Sequence, residues 1–262
     1  MIADKVLEGH IPEDLFVFDV HAHIDTSRGA IMPGSDACGL VDTLNKLGIQ
    51  SACISSTLAM EMHPLLGNEN VLKAASDFPG RLYGYAVPTP YYDYDISQYF
   101  YEGSGMIGIK VHGAEQSTTL NDPRYNAAYE FADKNGLPVL FHAWFDREVK
   151  EGFEVAKKYK NAKFIFGHSA FTDYSAKCVA IEACKTCDNV FVDTAISSTY
   201  DGAIEWIVSQ VGVDKVLYGS DLAFFDCRQT FGKLALSKLS DSDKIKIFGE
   251  NAKKIFTYET NF

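Results

Sequence analysis

Short apolar runs recur along the chain, separated by polar stretches whose apolar residues fall three and four apart. The runs "LFVFDV" (15–20), "SACISS" (51–56), "LYGYAV" (82–87), "MIGIKV" (106–111), "LPVLFH" (137–142), "KFIFGH" (163–168), "NVFVDT" (189–194) and "KVLYGS" (215–220) predict eight strands. The stretches "ACGLVDTLNKLG", "DPRYNAAYEFADKNG" and "DREVKEGFEVAKKY" predict helices, the second with Pro123 near its start and Gly136 near its end. From His21 to Asp221 the alternation repeats about every 29 residues, close to a strand–helix–strand unit. Eight such units predict an α/β fold, a parallel (β/α)8 TIM barrel. A doubly wound sheet fits less well, because no GxGxxG follows the first strand. No linker, repeat or low-complexity tract divides residues 1–262, so a single domain is expected.

Alternation also assigns faces. In "FVFDVHAHID" (16–25), Asp19, His21 and His23 share one parity and Phe16, Phe18 and Val20 the other. One face is then apolar, expected to meet the helices, and the other carries acid and imidazole. Two surface histidines in a turn are the plainer alternative; partners elsewhere must decide. In "MIGIKVHG", Ile107, Ile109 and Val111 are expected to face the helices, and Lys110 and His112 the barrel mouth.

Composition narrows the class. Of 262 residues 47% are hydrophobic and 23% charged, an ordinary globular balance. The net charge of −11 argues against nucleic acid, whose phosphates need clustered Lys and Arg. No run reaches the ~18 apolar residues of a membrane span. The first nine residues carry acids and no apolar core, unlike a signal peptide. A cytoplasmic protein with six reduced cysteines is therefore expected, "CKTC" (184–187) being structural. A homo-oligomer is compatible with all of this.

Barrel active sites form at the C-terminal ends of the strands. Of seven histidines, His21, His23, His112, His142 and His168 fall at predicted strand ends, with Lys110 beside His112 and Asp221 after the last strand. Neutral imidazoles with one carboxylate suit a divalent metal, zinc before manganese, iron or cobalt. Such a metal would lower the pKa of a bound water toward ~7. Asp221 could take the water's proton and pass it to a leaving group, and His168 could orient the water or steady an oxyanion.

The ordered set, with "FDVHAHID", "GIKVHG", "FGHSAF", "VLYGSDLAFF" and "GENAKKIF", resembles the amidohydrolase superfamily. More narrowly it resembles the amidohydrolase-related group that includes aminocarboxymuconate semialdehyde decarboxylase-like enzymes. The resemblance runs from about residue 17 to 257. It implies that His21, His23, His142 and Asp221 hold the metal and that His168 orients water or substrate. Ala223 stands where that group often has proline.

Lys110 conflicts with a dication. At ~5 Å a protonated lysine would be repelled by roughly 6–7 kcal/mol at an effective dielectric of 20. It could stand farther off and bind an anionic substrate, lose its proton, or be carboxylated and bridge two metals as in binuclear relatives. One metal per chain is the preferred expectation. Arg28 and Lys110 are expected to bind a substrate carboxylate, with Trp144 and His112 on the pocket wall. The primary expectation is a metal-dependent hydrolase acting on an amide, ester or lactone bond of a small carboxylated molecule. Decarboxylation of a small aromatic or unsaturated acid is the alternative, set second because decarboxylases of the group are usually longer. A metal-binding barrel with a degenerate site is the non-enzymatic reading.

Overall fold

A computed structural model describes residues 1–168, 174–195 and 200–257. Eight parallel strands follow one another in sheet order: β1 Phe18–Ile24, β2 Ser51–Ser56, β3 Leu82–Ala86, β4 Met106–Val111, β5 Pro138–His142, β6 Lys163–Gly167, β7 Val190–Asp193 and β8 Val216–Leu217. The sheet closes where Ala22 bridges Leu222, the His21 carbonyl accepts from Asp221 N at 2.7 Å, and the Tyr218 carbonyl accepts from Val20 N at 2.9 Å. Closure satisfies edge groups that an open sheet would leave unpaired. The expected (β/α)8 barrel is therefore the observed one.

Helices α1 (Ile2–Leu7), α2 (Ala37–Lys46), α3 (Thr57–Glu61), α4 (Pro64–Asp77), α5 (Asn126–Asn135), α6 (Asp146–Lys158), α7 (Tyr174–Thr186), α8 (Ala203–Val211), α9 (Cys227–Ala235), α10 (Asp241–Ile245) and α11 (Asn251–Ile255) accompany the strands. Local signals set several ends. Asp36 accepts from Gly39 N to start α2, and Gly136 ends α5 in the left-handed region at φ 65°. Pro123 begins a 3-10 turn (Pro123–Tyr125) that leads into α5.

Two cores result. Ala52, Ile54, Ile109, Val111, Val139, Phe141, Phe164 and Phe166 pack outward against the helices. Phe18, Val20, Cys53, Tyr85, Ile107, Leu140, Ile165 and Leu217 fill the barrel. Ala252, Ile255 and Phe256 join that inner core, with the Phe256 and Phe18 rings 5.2 Å apart. Gly249 lets this end approach: a Cβ there would sit 2.6 Å from the Phe16 carbonyl oxygen.

Strict alternation fails at two places. β1 slips register against β2 between Asp19 and Ala22, so Phe18 and Val20 point into the barrel while Ala22 and Ile24 point out. β4 slips against β3, pairing Gly84 with Met106 but Tyr85 with Gly108, and Ile107 turns inward. The face expected for Phe18, Val20 and Ile107 is thus corrected. An inserted residue moves every side chain beyond it to the other face. Strand 1 also runs on to Ile24, so His21 and His23 lie within it.

All six cysteines are free thiols. Among the described residues no helix is long and apolar enough to cross a membrane.

Candidate active site

After its bulge, β1 directs His21 and His23 to the barrel mouth, where both are buried. Asp221 reaches the same place from the loop after β8. His23 Nε2 lies 3.0 Å from Asp221 Oδ1, and His21 Nε2 lies 3.7 Å from the same oxygen. One ligand atom from each of these three residues falls within 4.8 Å of the others. The far ring nitrogens are tied back, His21 Nδ1 to Asp193 Oδ2 at 2.8 Å and His23 Nδ1 to Ser55 Oγ at 3.1 Å. That pattern, one nitrogen held by the protein and the other aimed at a common point, is how metal-ligating histidines are oriented. The donor set fits a divalent ion.

His168 and Asp221 both have φ of 62°. The left-handed region is uncommon outside glycine, although His and Asp tolerate it, and such strain gathers at functional sites. It turns both side chains sharply off the strand ends. Two glycines make room: a Cβ on Gly167 would stand 3.0 Å from the His21 ring, and one on Gly219 3.0 Å from His21 Cβ.

His168 Nδ1 donates to the Ala195 carbonyl at 2.6 Å, which leaves Nε2 to accept from His142 Nδ1 at 3.1 Å. His142 therefore stands beside the cluster of three rather than within it, engaged with His168. Its ring stacks on His112 at 3.9 Å and 10°, and on Trp144 at 5.6 Å and 16°. The backbone N–H groups of Trp144 and Phe145 donate to Glu148, at 2.8 and 3.1 Å, and fix this wall.

Lys110 does not stand off. It is fully buried, with Nζ 3.0 Å from His21 Nε2. Burial pushes its amine below the usual lysine range, opposed by the charges of Asp221 and Asp193. Burial also lowers His21, His23, His112 and His142, and takes His168 down to about 4, so all five rings favour the neutral, ligating form. Asp193 is pushed up by burial, against the N–H groups of Ala195 and His168 and the Lys110 charge.

Arg28 is not paired with Lys110. Its guanidinium meets Glu61 at 3.3 Å and Glu115 at 3.8 Å with a side chain 61% exposed, and it lies outside the pocket lining. The pocket itself measures about 490 Å³ and is lined by His23, Lys110, His112, His142, Trp144, His168 and Asp221, with Phe145, Phe224 and Phe225 completing its apolar side.

Sequence reasoning missed Asp193. It stands one residue before the end of the run "NVFVDT" and closes β7, so the rule that collected the histidines at strand ends would have flagged it. Asp19, placed on the histidine face, instead accepts from Ser220 N at 3.0 Å and from the Ser220 hydroxyl, and braces the β1–β8 seam. Of "FGHSAF", residues 169–171 lie outside the described residues.

A family model described as amidohydrolase matches residues 18–257. No curated protein matches. Among solved structures, 5-carboxyvanillate decarboxylase from Sphingomonas paucimobilis is similar at a TM-score of 0.71 and 10% identity, over 94% of this chain and 100% of that one. Dihydroxybenzoic acid decarboxylase from Polaromonas, with bound manganese and 2-nitroresorcinol, gives 0.73 and 13% over 94% and 98%. 4-Oxalomesaconate hydratase from Rhodopseudomonas palustris gives 0.69 and 15% over 93% and 96%. At these identities the likeness establishes the fold.

Proposed function

The chain belongs to the amidohydrolase family, and from that premise we propose that it is a metal-dependent decarboxylase of a small planar acid, aromatic or conjugated. The observation that carries this reading is the wall of parallel rings, His112 on His142 on Trp144, flanking a floor of imidazoles, Lys110 and Asp221. A flat π system fits against such a wall, and a carboxylate suits such a floor. Two of the neighbours described above are named as decarboxylases of aromatic acids, which supports the choice. This chain spans 98% and 100% of those two chains, so length no longer favours hydrolysis.

His21, His23 and Asp221 would hold the metal, with His142 beside them. Zinc and manganese both suit two imidazoles and a carboxylate, and the Polaromonas neighbour holds manganese. When bound, the ion supplies Lewis-acid stabilisation of negative charge on substrate oxygens.

The chain's own groups do the rest. Lys110, its amine moved by burial toward the neutral form that suits a neighbouring dication, donates a hydrogen bond to the substrate carboxylate. The ring wall holds the π system flat. Asp221 turns Oδ1 to His23 and Oδ2 to His168, and Oδ2 relays a proton from water to the carbon that bears the carboxylate. As the C–C bond breaks, its electron pair takes that proton and the carboxyl group departs as carbon dioxide. Phe224, edge-on to His23 with centroids 5.1 Å apart, limits water beside the reacting centre.

Product analysis tests the proposal. The metal-loaded protein is offered planar acids labelled in the carboxyl carbon, in deuterated water, alongside amides, esters and lactones. Labelled carbon dioxide and deuterium at the vacated carbon are expected. A new carboxylic acid from the amides, esters or lactones, with no carbon dioxide from any acid, would return the site to hydrolysis.

A further inference from the structure

Asp193 is buried at the end of β7, where it accepts two backbone N–H groups and faces the His21 ring. Its Oδ1 takes His168 N at 2.8 Å and Ala195 N at 3.1 Å, and its Oδ2 faces His21 Nδ1 at 2.8 Å. Backbone N–H groups can only donate, so Oδ1 has no choice of role. We infer that Asp193 is a positioning residue that selects the tautomer of His21, placing the ring proton on Nδ1 and leaving the Nε2 lone pair bare toward Asp221 and Lys110. The same carboxylate anchors the His168 backbone where it takes its left-handed turn. One side chain thus sets both the donor nitrogen of His21 and the direction of His168.

Turning the ring over would exchange Nδ1 for Cδ2 and Nε2 for Cε1, and would set C–H groups against the Asp193 carboxylate and Lys110 Nζ. The His21 ring lies where a Cβ on Gly167 would come within 3.0 Å of it, and His21 Cβ where one on Gly219 would come within 3.0 Å. Asp193 Cβ would meet that second group at 3.2 Å. With the ring anchored at both nitrogens, Asp193 on Nδ1 and Lys110 Nζ on Nε2, the open question is which nitrogen carries the proton.

The inference rests on the metal-site reading for its consequence, since only a bare Nε2 can bind an ion, but the tautomer is a property of the metal-free chain. Asp193→Asn tests it sharply. Two backbone donors keep the amide oxygen at the Oδ1 position, so the NH2 group faces His21 Nδ1. An NH2 group only donates; His21 must then accept at Nδ1 and carry its proton on Nε2.

Nitrogen-15 spectra of histidine-labelled, metal-free protein, with His21 assigned by His21→Gln, read the tautomer directly. Nδ1–H is expected in the parent chain and Nε2–H in Asp193→Asn. Competition with a chelator should show zinc affinity falling about 10- to 100-fold in the variant. A parent chain with Nε2–H, or a variant in which Nδ1 keeps its proton, would overturn the inference. Should Asp193→Asn fail to fold, the parent spectrum still decides. A parent chain with Nδ1–H that binds no zinc and no manganese would leave the tautomer standing and remove the metal-site reading instead.

Discussion

His23 and Asp221, from the first strand and the loop after the last, meet at 3.0 Å between Nε2 and Oδ1. They meet because the sheet closes: Asp221 N donates to the His21 carbonyl and Ala22 bridges Leu222. The place of the Asp221 carboxylate is therefore a product of barrel closure, and its neighbours are histidines it could never reach within its own segment.

Asp221→Asn keeps the shape and the seam but loses the carboxylate proposed to relay the proton. Turnover should fall by about 10³-fold, within the range of general acid–base contributions. The melting temperature should move by no more than a few degrees. A variant that melts much lower but retains turnover per folded molecule would mark Asp221 as structural.

Metal analysis should return about one equivalent per chain, because one cluster of three convergent donors is present among the described residues. Chelation should abolish turnover, and zinc or manganese should restore it. Two equivalents, together with a carboxylated Lys110, would establish the binuclear arrangement instead.

The metal-free protein should lose stability in mild acid. His21, His23, His112, His142 and His168 sit below the ordinary histidine value of 6.5, His168 at about 4. From pH 6.5 down toward 4 the unfolded chain binds protons there that the folded chain does not, so their contribution is lost as pH falls. Asp19, raised to about 7 by burial, and Asp193, also raised, act oppositely, since the folded chain holds their protons after the unfolded chain has released them. Five imidazoles outweigh two carboxyls. The net loss between pH 7 and pH 5 should be on the order of a few kcal/mol, read as a falling melting temperature. A flat or rising profile would contradict the neutral histidine cluster.

Arg28→Met should do little. Its guanidinium is mostly exposed and bound to rim carboxylates, so stability should change by less than about 1 kcal/mol. The Michaelis constant for a carboxylated substrate should change by less than about threefold, or about 0.6 kcal/mol. Lys110→Met should raise it at least tenfold, or abolish turnover. A tenfold rise with Arg28→Met would restore the direct role that Arg28 was first assigned.

The barrel was legible because its signals are local. Apolar runs at near-constant spacing mark strands and crossovers, and β2 and β4 begin and end where the pattern placed them. The site was legible because barrels gather chemistry at one rim, so histidines at strand ends could be collected without knowing their contacts. Side-chain faces in β1 and β4 were not legible, since a bulge depends on how a strand pairs with its neighbour and leaves no mark in its own alternation. Nor could sequence show that His142 leans on His168, that Arg28 is occupied by Glu61 and Glu115, or that Asp193 backs His21. Those pairings join residues from different strands and loops, and only the closed, packed barrel sets which polar atom each imidazole and each cation meets.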